Sequence, residues 1–173
     1  PLVFLSRIEK IKGVHTAIAI AEQTEHRLII AGNLENEPHI RSYWREHIQP
    51  RLKPGKIEYI GPVDDTQKIQ LLGSALGVLV PVEWQEPFGL VFIEALACGT
   101  PVMGTPNGGI PEIIRHGENG FLIRSVSDGV KAVHQLQTIS REFCRRDAEC
   151  RFDTKVACSR FLKILHELTS NGP

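Results

Sequence analysis

Short apolar runs alternate with longer stretches of helical periodicity along this chain. Leu2–Leu5, Leu28–Ala31, Ile57–Ile60, Val78–Val82, Val102–Gly104 and Phe121–Ile123 read as strands. Between them Val14–Ala21, Pro38–Ile48, Thr66–Ala75, Leu90–Cys98 and Ile110–His116 read as helices, and Val14, Ala17, Ile18 and Ala21 share one helical face. Apolar strands separated by helices predict an α/β fold with a doubly wound, parallel six-stranded sheet, covered on both faces. From Asp128 to about Leu168 only helical patterns occur. Asp153 and Thr154 suit the start of a final helix carrying Val156, Phe161, Ile164 and Leu165. The tail Ser170–Pro173 is expected to fray.

At 173 residues the chain is expected to form one domain, spanning residues 1–169, with a core of ordinary size. Lysine plus arginine and aspartate plus glutamate number 20 each, so no general attraction to nucleic acid or membrane follows, and any anion site must be local. No apolar run approaches the roughly 20 residues that span a bilayer. The segment PLVFLSRIEK lacks a basic leader and a cleavage site, so no signal peptide is expected. It opens directly in a strand, which suggests a fragment of a longer chain. Cys98, Cys144, Cys150 and Cys158 show no CxxC spacing and read as free thiols of a reducing compartment, with neither zinc nor a disulfide framework expected.

The chemistry concentrates in EPFGLVFIEALACGTPV, Glu86 to Val102. Gly89 lets the chain turn after Pro87 and Phe88 and expose N–H groups at the start of a helix. This puts Glu86 on a loop and Glu94 on the helix, both facing one crevice, where carboxylates can accept hydrogen bonds from neighbouring hydroxyls. Glu86 as a turn cap and Glu94 as a solvated helix residue is the plainer alternative. LVFIEALA is apolar enough for a mostly buried helix, however, and an unpaired buried carboxylate is costly.

This stretch resembles the EPFGLVxxEAxAxGxPV signature of the group 1 retaining glycosyltransferases, whose GT-B fold has two Rossmann-like halves. The likeness runs from Phe4-Leu5-Ser6-Arg7 to the RFLKIL helix. It implies that the chain is the donor-binding half, with Glu86 near the donor sugar, Glu94 on the ribose hydroxyls, and Phe88, Gly89, Leu90 and Val91 orienting the sugar. It also implies a UDP-, GDP- or ADP-linked sugar as substrate, retention of configuration, no metal and no tightly bound cofactor. The acceptor-binding N-terminal half, with its functional histidine, is absent here. Isolated, this chain is therefore expected to bind a nucleoside diphosphate without transferring a hexose. The expected location is the cytoplasm, with any contact to the inner membrane surface made through the missing half.

Ligands in such sheets settle at the carboxyl ends of the strands. There the loop Ser6–Gly13 carries Arg7 and Lys12. It resembles the family's GRxxxxKG segment, which offers an Arg and a Lys to the donor diphosphate, with Ser6 replacing the usual Gly; Lys10 reads as surface. A unit charge pair at 4 Å is worth about 4 kcal/mol at an effective dielectric of 20, so Glu86 and Glu94 beside a diphosphate require cations such as Arg7 and Lys12. The segment Gly104–Glu112 resembles the family's GGxPEIIxxGxNGFL stretch and makes Gly109 a candidate near phosphate or sugar. In the relatives, backbone at the Gly61–Asp64 loop holds the base, which points to Val63. Asp64-Asp65 reads as a helix cap, and core packing is expected of Trp84 and Phe88.

A hydrolase would also use paired carboxylates but has no need of the basic loop. A sugar-nucleotide epimerase or a non-catalytic binding module on the same scaffold is the more serious alternative.

Overall fold

The computed structural model describes residues 1–170. Six strands form one sheet: β1 (Leu2–Leu5), β2 (Leu28–Ala31), β3 (Ile57–Tyr59), β4 (Gly77–Val80), β5 (Val102–Gly104) and β6 (Gly120–Leu122). Their order is β3-β2-β1-β4-β5-β6 and all pairings are parallel, with Leu2 opposite both Leu28 and Gly77, and Val102 between Val78 and Gly120. The winding reverses between β1 and β4, which opens a crevice beyond their carboxyl ends. Leu2, Val3, Phe4, Val78 and Leu79 are fully buried, as strands covered on both faces must be.

Among the described residues there are eight α-helices: α1 (Val14–Thr24), α2 (Pro38–Tyr43), α3 (Asp65–Ser74), α4 (Leu90–Ala97), α5 (Ile110–Ile113), α6 (Val126–Gln135), α7 (Arg141–Phe152) and α8 (Thr154–Ser170). α1 packs on α6, whereas α4 packs on α7 and α3. Right-handed crossovers on either side of the reversal put α1 on one face of the sheet and α3 and α4 on the other, and α6 and α7 follow α1 and α4 respectively. Among the described residues, α8 buries none of its side chains.

The departures from the expected boundaries have local causes. The helix expected over Pro38–Ile48 is α-helical only to Tyr43; a wider π turn covers Trp44–Ile48, and Pro50 follows. That widening lets Tyr43, Trp44 and Ile48 all reach the core, where each is buried. β4 stops at Val80 because Pro81 has no N–H to add to a ladder. α3 begins at Asp65, fixed by a capping box in which Asp64 accepts from the Gln67 N–H and Gln67 from the Asp64 N–H. The helix expected over Ile110–His116 ends at Ile113 because Asn119 takes over the next backbone groups: it accepts from the Arg115 N–H and donates to the Ile113 carbonyl. α8 does start at the Asp153 cap, whose carboxylate accepts from the Lys155 N–H at 2.8 Å. Of the tail expected to fray, Ser170 closes α8 and 171–173 lie outside the described residues.

Candidate active site

Three strand-end loops converge because glycines let their backbones touch. Gly32, just after β2, lies so close to the loop after β1 that a Cβ there would fall 1.8 Å from the Ser6 carbonyl oxygen. Gly13 turns with φ +77° between that loop and α1, and a Cβ on it would meet the Pro81 carbonyl oxygen at 2.0 Å. Ser6 itself does not need positive φ; among the described residues only Glu25 and glycines adopt it. The substitution of Ser for Gly at this place is therefore without backbone strain.

The convergence brings Lys12 onto the loop after β4. Its ammonium is 2.6 Å from Glu86 Oε2, with 10% and 16% of the two side chains exposed. Trp84 Nε1 donates to the same oxygen at 2.9 Å, and Lys12 Nζ lies 4.7 Å from the centroid of the Trp84 ring. The glycine-rich segment after β5 braces this loop from behind: the Gly109 N–H donates to the Glu86 carbonyl and the Gly108 N–H to Gln85 Oε1, both at 2.8 Å. Asn107 Nδ2 and Thr105 Oγ1 both donate to the Val82 carbonyl.

α4 then starts at Gly89, whose φ of +89° turns the chain, and no side chain caps its first turn. The uncapped N–H groups and the positive end of the helix dipole favour an anion there. Glu94, farther along α4, is paired with Lys68 of α3 at 2.9 Å, and Lys68 also reaches Asp65 at 3.0 Å. Hydrogen bonds to Glu94 and then to Asp65 push the Lys68 pKa up.

These groups enclose a cavity of about 350 Å³ at the carboxyl ends of β1 and β4. Of the residues singled out from sequence, Arg7, Lys12, Val63, Glu86, Gly89, Leu90, Val91 and Glu94 line it, and Phe88 and Gly109 do not. Gly109 is pressed against Pro87, whose carbonyl oxygen would lie 2.7 Å from an added Cβ.

Several expectations are corrected. Phe88 is 49% exposed rather than packed in the core, because it projects from the turn ahead of α4; Trp84 is half-buried against the core. α4 buries Phe92, Ala95 and Leu96, but its first residue Leu90 is 65% exposed, and Glu94 is a half-exposed, paired carboxylate rather than a lone buried one. Arg7 lines the cavity but its guanidinium is bonded to Glu9 at 2.7 Å, so the cation balancing Glu94 is Lys68. Sequence reasoning missed Lys68, although a basic residue in the first turn of the helix after β3 was a usable signal. It also missed Asn33, which lines the cavity from the loop after β2, whereas Pro62 lines it beside Val63 in the Gly61–Asp64 loop.

A model of the family "Glycosyl transferases group 1" matches residues 2–142. The chain belongs to this family. It is 33% identical over 158 residues to the glycogen synthase of Mycobacterium tuberculosis, covering 82% of this chain and 37% of that one. It is 30% identical over 126 residues to the N-acetyl-alpha-D-glucosaminyl L-malate synthase of Bacillus anthracis, covering 70% and 31%. Anabaena HepE, solved in complex with UDP-glucose, superposes with a TM-score of 0.81 at 25% identity over 96% of this chain and 48% of that one. This group 1 chain thus spans about a third of the length of those curated relatives and about half of the solved one. No helix among the described residues is long and apolar enough to cross a membrane.

Proposed function

We propose that this chain is the donor-binding half of a retaining glycosyltransferase that takes a hexose from a nucleoside diphosphate. The observation that carries this reading is one cavity lined by Arg7, Lys12, Glu86, Glu94 and the uncapped start of α4. Arg7, Lys12 and the first N–H groups of α4 hold the diphosphate and stabilise the charge that grows on it as the bond to the sugar breaks. Glu94, held by Lys68, accepts hydrogen bonds from the ribose. Glu86 and the Gly89–Val91 backbone orient the sugar, and backbone near Val63 takes the base. The UDP-glucose complex of the HepE relative supports a nucleotide sugar as substrate.

The acceptor would be held by an N-terminal half of the same protein, which the greater length of the relatives supports. The exposed stripe Phe161, Ile164, Leu165 and Leu168 on α8 supports it too, since such a face calls for another part of the protein to cover it. Calorimetric titration of the chain with UDP, GDP and ADP tests the reading: one should bind, and no binding of any at millimolar concentration would overturn it. Glu94→Ala should weaken that binding by about tenfold or more, the worth of a charge-assisted hydrogen bond. Transfer to an acceptor should need the longer protein.

A further inference from the structure

Glu86 Oε2 accepts two hydrogen bonds at once, from Lys12 Nζ at 2.6 Å and from Trp84 Nε1 at 2.9 Å. Both ions are largely shielded from water, with 10% and 16% of their side chains exposed, so solvent screens their attraction less than that of a surface pair. Lys12 thus has its charge already balanced by Glu86. A diphosphate that recruits the ammonium has to compete with Glu86 for it. Once Lys12 turns to phosphate, Glu86 keeps a single donor in a poorly hydrated place, and a charge left so under-bonded is costly.

We propose that the Lys12–Glu86 pair is a built-in competitor that disfavours the bare nucleoside diphosphate relative to the sugar-bearing donor. Trp84 is the positioning residue that keeps Glu86 in place while Lys12 moves. This rests on the assignment of the cavity to a nucleotide sugar. When the sugar is present its hydroxyls donate to Glu86 and replace the lost ammonium. With the diphosphate alone nothing replaces it, and the carboxylate repels the anion across a short distance. The site therefore selects the loaded donor and sheds the diphosphate product.

Glu86→Gln keeps the shape and an acceptor oxygen but removes the charge. In calorimetric titrations of the 173-residue chain with UDP, GDP and ADP, the diphosphate that the wild type binds should bind this variant about fivefold tighter or more. Trp84→Phe keeps an aromatic face under Lys12 but withdraws the N–H, which leaves Lys12 as the one strong partner of Glu86. That variant should bind the same diphosphate about threefold more weakly. Opposite signs distinguish competition from general loss of structure, which would weaken binding in both variants. Glu86→Gln binding as the wild type does, or more weakly, overturns the proposal. If Glu86→Gln fails to fold, Trp84→Phe is read beside its urea unfolding midpoint: weaker binding at wild-type stability supports the proposal, and unchanged or tighter binding, or weaker binding with lost stability, overturns it. If the wild type binds none of the three, the assignment of the cavity fails first and this inference with it.

Discussion

The Lys68 ammonium lies 2.9 Å from Glu94 Oε1 and 3.0 Å from Asp65 Oδ1, tying the first turn of α3 to the middle of α4. Lys68 approaches the cavity from the β3 side and Lys12 from the β1 side, so each of the two cavity carboxylates has its own lysine. Paired in this way, each carboxylate has a cation beside it and keeps lone pairs that can accept from hydroxyl groups.

Lys68→Met should therefore weaken nucleoside diphosphate binding by about threefold, because Glu94 loses the group that orients it. Lys68 and Glu94 keep 25% and 40% of their side chains exposed, so the accompanying loss of stability should stay below about 1 kcal/mol. Lys68→Arg should restore most of the affinity. Calorimetry beside urea unfolding checks both, and wild-type affinity in Lys68→Met would remove Lys68 from the site.

Gly13→Ala should cost about 3 kcal/mol or more, since the added Cβ would sit 2.0 Å from the Pro81 carbonyl oxygen at φ +77°. Gly55 has almost the same φ, +75°, but nothing within 4 Å, so Gly55→Ala should cost only the left-handed backbone penalty of about 1–2 kcal/mol. Urea denaturation of the two variants measures the difference. Equal losses would mean that the loops after β1 and β4 can part without consequence.

What the sequence disclosed depended on whether one residue's own preferences decided the outcome. Gly89, Gly13 and the apolar runs act through their own chemistry, so the strands, the winding and most of the cavity wall were legible. Asn119 ends α5 from six residues beyond Ile113, and nothing in the local pattern of Ile110–His116 announces that contact. The wider turn at Trp44–Ile48 likewise answers the demand of three side chains for one core. At the site, residue types suggested which groups carry charge but not their partners. Arg7 turned to Glu9, and the cation of Glu94 came from another helix. The sequence suggests Gly109 as a place for phosphate or sugar, whereas the room that Gly108 and Gly109 make is for the backbone of Glu86 and Pro87.

His15 gives stability a pH dependence whose sign is set by burial. Its Nδ1 is 2.8 Å from the Tyr43 hydroxyl and its Nε2 2.8 Å from Glu83 Oε1, which suits a neutral ring accepting at Nδ1 and donating at Nε2. Burial lowers its pKa from the usual 6.5; Glu83 opposes that shift, and His47, Lys10 and Arg51 reinforce it. Between the lowered folded value and 6.5 the unfolded chain binds more protons, so this residue makes stability rise with pH across that window. Above the window it contributes no slope, and below it the penalty is constant. Unfolding by urea from pH 5 to 7.5 should show a shallower rise for His15→Asn than for the wild type. An unchanged slope would mean that other groups carry it. Tyr43, pushed up to about 12 by burial, stays protonated throughout.

Asp147 anchors the far side of the domain and offers the sharpest stability test. Its side chain is 3% exposed and accepts from Arg151 at 2.7 Å and Asn119 at 2.9 Å, with Arg115 at 3.0 Å. Arg151 and Asn119 in turn donate to the Ile113 carbonyl, so one carboxylate fastens α7 to the segment that follows the glycine-rich loop. Removing it takes the one charged acceptor from Arg151, Arg115 and the buried Asn119 amide and leaves Arg151 and Asn119 with carbonyl partners alone, a loss of about 3–5 kcal/mol. Asp147→Ala should thus lower the Tm by roughly 6–20 °C, given about 2–4 °C per kcal/mol for a chain of this size. Asp147→Asn should lose less, because it keeps one acceptor for Arg151. The folded fraction of either variant should bind the nucleoside diphosphate with wild-type affinity, since Asp147 does not line the cavity. Differential scanning calorimetry with and without ligand separates the two effects; weaker binding by a fully folded variant would tie this anchor to the site through the bracing of Glu86.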